Sequence, residues 1–366
     1  MQLQRRRWAE ICSRRVIFKL MLVSLTIFVA LRIVELFVNI HYNAIPRYIQ
    51  RAFVPDDHSA KVIEVNASYD SDPKLDGYSW LQCKCAGKRN LNFTRNDSNS
   101  QSTCSNEATD IGLGQKVISY SLFVSTEKAI PFFFNGIVPN LNKLRDIYPG
   151  WLVRIYTNVP INDHTCLFIC QHDHLFWCNI ERIPNLGDVS SVNGRVWRFL
   201  PLGDPTVDIF VSRDLDSLAT TRERNAVTEW EGYNKTFHLM RDSQWHKTEI
   251  LAGLWGAKNS LLDPSLGMKL RAQIIEDGRF SEGKTVDQSI LTRRIFYPFK
   301  DNFLAHDSYY CGRYKESVTL PFPTKRNGQE FAGHDDLQEA DTLFVGLLKP
   351  CPIECRPSYG KDWKYC

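Results

Sequence analysis

Two carboxylates one residue apart, Asp214 and Asp216, close the run Val207-Asp208-Ile209-Phe210-Val211-Ser212-Arg213. The run is mostly apolar and β-branched, which predicts a buried strand that stops abruptly at Arg213-Asp214-Leu215-Asp216. Paired acids at a strand end are costly unless something neutralises them. On an extended segment residues i and i+2 point to the same side, so both acids can reach one ion. A hard divalent cation, Mn²⁺ or Mg²⁺, shared with a diphosphate would neutralise the pair and hold a nucleotide. Open α/β sheets bind ligands beyond the carboxyl ends of their strands, where this pair would lie. The competing reading is a polar strand end leading into a helix that starts near Ser217.

The elements needed to position the pair are legible on either side. Lys116 to Val124 reads as a first strand, and Ile130 to Tyr148 has apolar residues at helical spacing, with Pro139 as a kink. Trp151 to Thr157 is a second strand, so the three form a βαβ unit with parallel strands and a right-handed crossover. Cys178 to Ile183 is expected as a short strand and Val196 to Leu202 as a helix before the central strand. After the acids come a helix over Thr220 to Glu231 and a strand over Thr236 to Asp242. The glycine- and tryptophan-bearing segment Leu251 to Lys258 follows, where glycines permit close backbone approach to a ligand or another strand. Helices are expected over Asp263 to Asp277 and from Val286. Ile295 to Tyr297 and Asn302 to Asp307 should close the sheet. The fold class is therefore α/β, with a mainly parallel sheet flanked by helices.

The 366 residues allow one large domain with appendages, and a net charge of +4 gives no sign of nucleic-acid binding. Much of the basic excess lies in the first twenty residues, ahead of an apolar stretch from Val16 to about Val38. That stretch is long enough to span a bilayer core of ~30 Å. Lys19 can snorkel, and Arg32 and Glu35 can pair on one helical face. The basic flank should stay cytosolic. A cleaved signal peptide is the alternative, but no convincing small-x-small site follows the apolar run. The expected order is a cytosolic tail (1–15), a transmembrane signal anchor (16–38), a stem (39–115) and a lumenal catalytic domain (116–366). Of 11 cysteines, Cys12 lies on the cytosolic side. The rest, Cys83, Cys85, Cys104, Cys166, Cys170, Cys178, Cys311, Cys351, Cys355 and Cys366, should pair in an oxidising lumen. Zinc is the alternative for the clustered Cys166/Cys170 and Cys351/Cys355, though structural zinc spacings are usually tighter and repeated.

Taken together, the anchor, the stem, the α/β domain and the strand-end D-x-D resemble the Golgi glycosyltransferases of the GT-A fold, over about Lys116 to Asp307. The resemblance runs from Val117–Val124 through Trp197-Arg198-Phe199 and Arg213-Asp214-Leu215-Asp216-Ser217 to Gly253-Leu254-Trp255-Gly256, Asp287-Gln288 and His306. The Arg213–Ser217 form is similar to that of uncharacterised transferase-like proteins. The resemblance implies a single-pass type II protein of the Golgi or endoplasmic reticulum membrane. It would be a metal-dependent, hexosyltransferase-like enzyme that moves a sugar from a nucleotide-sugar donor, expected to be a UDP-sugar, to a glycan or glycoconjugate. A catalytically silent relative acting as a lumenal glycan-binding or scaffold protein is the alternative.

Within that frame Asp214 and Asp216 would hold the cation. GT-A families commonly place an acidic residue before a helix, as at Asp287, and several use a late histidine as a further metal ligand, which implies His306; a hydrogen-bonded structural histidine is its other role. Arg213 can contact phosphate or pair with a neighbouring carboxylate. Arg195 and Arg198 can contact the donor or lie on a helix surface. If the reaction inverts the anomeric centre it needs a base, and Asp242, Glu249 and Asp287 are the candidates. Asp242 can instead pair with Arg241 or another cation, and Asp287 can cap its helix. Trp255 can stack on an acceptor sugar or lie in the core. The lumenal reading is checked by N-glycans at Asn66, Asn92, Asn96 or Asn234, each in an Asn-x-Ser/Thr triplet after the anchor. Glycosidase treatment should increase electrophoretic mobility, and protease outside sealed vesicles should spare the main domain; an unchanged mobility or a digested domain contradicts the topology.

Overall fold

A computed structural model describes Cys83, Cys85 and residues 100–124, 130–161, 163–328, 330–334 and 348–366. All of these belong to one compact unit, Val65–Cys366. The expected tail and anchor, and most of the expected stem, lie outside the described residues. No helix among the described residues is long and apolar enough to cross a membrane.

The fold is mixed α/β, built on an eight-stranded sheet in the order β3-β2-β1-β4-β6-β5-β7-β8. The strands are β1 (Gln115–Leu122), β2 (Leu152–Thr157), β3 (Leu175–Asn179), β4 (Val207–Arg213), β5 (Phe237–Arg241), β6 (Leu254–Lys258), β7 (Phe303–Asp307) and β8 (Val318–Leu320). All pairings are parallel except those of β6, which runs antiparallel between β4 and β5. Strands buried on both faces need apolar residues at both parities. In β1, Val117 enters the apolar cluster with Trp197, Phe199 and Trp255, while Ile118 enters the cluster on the other face with Ile137, Leu141 and Leu144. In β4, Phe210 and Val211 divide in the same way.

The helix Ile130–Ile147 carries Pro139 in its interior and supplies that second cluster. The helix Thr221–Glu231 starts at Thr220, whose side chain accepts the Glu223 N–H. Lys258 Nζ closes its other end by donating to the carbonyls of Trp230, Glu231 and Tyr233 at 2.9, 3.0 and 2.7 Å, a cation where the helix dipole is negative. Gly256 has a close-approach role: a Cβ there would lie 2.5 Å from the Phe210 carbonyl oxygen across the β4–β6 ladder.

Three expectations are corrected. The third strand is Leu175–Asn179, earlier than Cys178 to Ile183, because the apolar stretch Leu175-Phe176-Trp177-Cys178 fills the place beside β2. Ile295 to Tyr297 is helical; Ile295 and Phe296 bury themselves as a helix face instead of joining the sheet. Residues 100–114, assigned to the stem by composition, pack into the domain. There Asp204 accepts from Thr103 N and Oγ1 at 2.7 and 2.8 Å and pairs with the buried Arg154 at 2.7 Å.

The ten cysteines form five disulfides: Cys83–Cys166, Cys85–Cys170, Cys104–Cys178, Cys311–Cys355 and Cys351–Cys366. Cys166 and Cys170 are one turn apart on the helix Asp163–Gln171 and so share a face, as residues two apart do on an extended chain. The two side-by-side bridges from Cys83 and Cys85 follow from that match. Peptide mapping without reduction should recover these five pairs; a majority of free thiols, or bound zinc, would overturn them.

Candidate active site

The carboxyl end of β4 places Asp214 and Asp216 outside the sheet. Arg213 pairs with Leu254 across the β4–β6 ladder, so Gly253 falls opposite Asp214. A Cβ on Gly253 would lie 1.8 Å from Asp214 Oδ2; only glycine leaves the carboxylate its place. The Asp214 side chain is 48% exposed, and Asp216 is exposed.

Asp214 is held by Arg198, from the 3₁₀ helix Gly194–Phe199. The Arg198 guanidinium is buried. It donates Nη1 to Asp214 Oδ1 and, at 3.2 Å, to the Arg213 carbonyl, and Nη2 to Asp287 Oδ2 at 2.8 Å. Its backbone N–H reaches Ser121 Oγ on β1 at 2.9 Å. Burial works against the Arg198 charge, and Asp214 and Asp287 outweigh it, so the group stays firmly protonated. Arg195, on the same short helix, lies with its guanidinium carbon 5.5 Å from the ring centre of Phe123, which is exposed just beyond β1. The structure thus brings together Asp214, Arg198 and Asp287, with Asp216 exposed two residues after Asp214 and Arg195 on the same helix as Arg198.

The remaining expected site residues stand elsewhere or are spoken for. Arg213 is buried and turned away from the acids. Its Nε bonds Glu223 Oε1 at 2.7 Å, and the same carboxylate oxygen accepts from Tyr148 at 2.6 Å. It is a structural ion pair with no open face toward a phosphate. Asp287, at the start of the helix Val286–Leu291, is buried with Oδ2 on Arg198 and Oδ1 accepting the Gln288 N–H at 2.9 Å. It positions Arg198 instead of serving as a base.

Asp242 is enclosed. Its Oδ1 accepts from Arg222, Arg326 and Ser308, and its Oδ2 from Arg222 and the Ala332 N–H, at 2.7–2.9 Å. Burial pushes this carboxyl up, and Arg222 and Arg326 outweigh it and leave it below the ordinary value. With both oxygens saturated it cannot take a proton from a substrate. Glu249 is half-buried on the loop between β5 and β6, with Oε1 accepting from Tyr297 at 3.0 Å.

His306 is wholly buried on β7. One ring nitrogen meets His238 Nε2 at 2.8 Å and the other meets Glu229 at 3.0 Å, so neither is open to a metal. Trp255 is core, edge-on to Phe199 and Phe210 at 5.4 and 5.3 Å.

Two histidines that sequence reasoning passed over come to this end of the sheet. The His334 carbonyl accepts from Ser217 Oγ at 2.6 Å, directly after the D-x-D. His246 Nδ1 accepts the Asp242 N–H at 3.1 Å, and Asp214 is close enough to act on its charge. Neither sits in a periodic pattern; the only cue was a cluster of polar residues after a strand, which is common in loops.

No protein-family model matches the sequence, and no curated protein matches it. Among solved structures, the chain is similar to the apo form of the glycosyltransferase GlyE of Streptococcus pneumoniae TIGR4, at 13% identity over 51% of this chain and 44% of that chain, with a TM-score of 0.36. A second GlyE structure gives 14% identity, 54% and 46% coverage and a TM-score of 0.34. The chain thus spans less than half the length of either. At these values the likeness assigns neither activity nor specificity.

The buried His238 and His306 and the half-buried His246 set an acid limit on the fold. Burial lowers His238, His246 and His306 from 6.5, His246 to about 4. The unfolded chain therefore binds more protons below pH 6.5. Their contribution is complete above that value and is lost as pH falls through the folded values. The melting temperature should fall on acidification from about pH 7 to about pH 4.5, and less steeply in His246→Gln, as scanning fluorimetry would show. A flat profile in that window contradicts the assignment.

Proposed function

We propose that this chain is a glycosyltransferase that moves a sugar from a nucleotide-sugar donor, a UDP-sugar, to a glycan or glycoconjugate acceptor with the help of Mn²⁺ or Mg²⁺. The observation that carries the reading is the placement of the acids. Asp214 and Asp216 stand accessible at the carboxyl end of β4, where the parallel strands meet the antiparallel β6. Gly253 keeps the space against Asp214 free of a side chain. The sequence resemblance to GT-A enzymes supports the same reading.

The residues fit a hard cation. Asp214 and Asp216 are oxygen donors two residues apart in the turn that follows β4, and Arg198 engages Oδ1 of Asp214. Among the described residues no group of three or more His, Cys, Asp or Glu side chains could hold a metal, so diphosphate and water would complete the shell. The bound cation would neutralise the diphosphate and ease departure of the nucleotide. Arg198 fixes the angle of the Asp214 carboxylate, and Asp287 fixes Arg198. Of the three candidate bases, Glu249 alone retains an accessible carboxylate. The protein would act from the lumenal side of a Golgi or endoplasmic reticulum membrane, held by its N-terminal anchor, a placement that the five disulfides favour.

Asp214→Asn and Asp216→Asn keep side-chain shape and remove an anionic ligand. Asp216→Asn should leave the melting temperature within about 2–4 °C, since substitutions at accessible polar sites change stability little; Asp214→Asn should lower it further, because the buried Arg198 keeps only Asp287 as an anionic partner. Each should lower Mn²⁺-dependent UDP binding and sugar transfer by roughly 10²-fold or more. The double variant should add little, because the two act as one unit. Calorimetric UDP titrations on full-length protein in detergent, with and without Mn²⁺, make the test. Unchanged binding in both variants would sink the metal site.

A further inference from the structure

The turn that carries Asp216 is fastened to the body of the domain by a buried amide. The helix Ile130–Ile147 lays Ile137, Leu141 and Leu144 into the core at helical spacing, and Asn140 shares that stripe at 1% exposure. A polar side chain is costly there unless it is bonded, and asparagine is a poor residue for a helix interior. Its bonds go to the chain just after the D-x-D. Asn140 Nδ2 donates to the Ser217 carbonyl at 2.9 Å, and Oδ1 accepts the Ala219 N–H at 3.2 Å. A longer contact, at 3.4 Å, joins Nδ2 to the Tyr120 hydroxyl on β1.

Ser217, directly after Asp216, has every polar group engaged. Its N–H donates to the Asp214 carbonyl at 3.3 Å, its carbonyl accepts from Asn140, and its Oγ donates to the His334 carbonyl at 2.6 Å. The first bond closes the turn on itself. The bond to Asn140 ties the turn to a helix packed into the core. Asp214 is placed separately, by Arg198 and by the space left at Gly253. The two acids thus stand on different supports, Arg198 for the first and Asn140, through Ser217, for the second.

We infer that Asn140 is a positioning residue of the metal site: it holds the turn so that Asp216 stands in place near Asp214 before a cation arrives. The inference rests on the Mn²⁺ or Mg²⁺ reading of the two acids and adds to the same site a residue outside the D-x-D. A cation bound by acids on a loose turn must order that turn on binding, and the cost comes out of its affinity. A turn already held by a buried amide avoids that cost. Partners that orient a metal's ligands typically change metal affinity by about 10–100-fold when they are removed. Asn140 is buried beneath the turn, so its loss should raise the cation concentration needed and leave the fully loaded site intact.

Asn140→Ala deletes the amide, and Asn140→Leu replaces it with an apolar group of nearly the same shape, so that either serves if the other folds poorly. Asn302 supplies the control. Its amide clamps Thr236 in the same way, accepting the Thr236 N–H at 3.1 Å and donating to Thr236 Oγ1 at 2.8 Å, at the opposite end of the sheet. Full-length protein in detergent is titrated with UDP at a series of Mn²⁺ concentrations, and hydrogen exchange over residues 213–220 is measured without metal. Both Asn140 variants should raise the Mn²⁺ midpoint by roughly tenfold, reach wild-type UDP binding at saturating Mn²⁺ and exchange faster over 213–220. Asn302→Ala should lower the melting temperature and leave the midpoint and that exchange unchanged. A midpoint or an exchange rate indifferent to both Asn140 variants, an equal shift in Asn302→Ala, or UDP binding that saturating Mn²⁺ does not restore would each overturn the positioning role and leave the acids' metal reading standing. A wild type that does not bind UDP with Mn²⁺ would remove that reading, and this inference with it.

Discussion

The guanidinium of Arg198 is the contact on which the site depends. It is buried between two carboxylates from separate parts of the chain, Asp214 after β4 and Asp287 on the helix Val286–Leu291. Removing a buried partner from such a group leaves an uncompensated charge, which typically costs ~3–5 kcal/mol. The triad therefore ties the 3₁₀ helix Gly194–Phe199, the central strand and the Val286–Leu291 helix to one geometry. One carboxylate is spent on orientation, and the other is left half in solvent.

The same solution is repeated along the carboxyl edge of the sheet, with a different outcome at each strand. Arg213 closes on Glu223, Arg241 bridges Asp307 and Glu316, and Asp242 sits between Arg222 and Arg326. In each of these the carboxylate is enclosed on all sides. At the end of β4 the carboxylates stay accessible. Gly253 contributes no side chain, and Asp216 stands exposed one residue further on. The enclosed pairs form a rigid frame around the accessible one.

The last part of the chain belongs to that frame. The described residues from Leu348 to Cys366 form two short 3₁₀ turns and no strand. They are held by Cys311–Cys355 and Cys351–Cys366, and by the Cys366 carbonyl, which accepts from Arg222, Ser308 and Arg326. A segment poor in apolar periodicity is thus joined to the Asp242 cluster, which in turn supports the loop carrying His246.

The apolar runs that became β1, β2 and β4 were readable in the residues themselves, because strands buried on both faces need β-branched and aromatic residues at every position. The place of Asp214 and Asp216 was readable for the same reason: an apolar strand that ends in two acids must put them outside the sheet. The even number of cysteines from Cys83 onward implied disulfides, but not which ones. Tertiary structure alone decided the fates of the neighbouring charges. Arg213, Asp242 and His306 have the residue types of a site and the strand-end positions of a site. Their partners, Glu223, Arg326 and Glu229, come from other elements, and no local pattern announces them. Trp255 went to the core because β6 lies inside the sheet, between β4 and β5, with Phe199 and Phe210 against it. Which acids are enclosed and which stay open depends on pairings across the fold, and burial, not residue type, separates a structural carboxylate from a functional one.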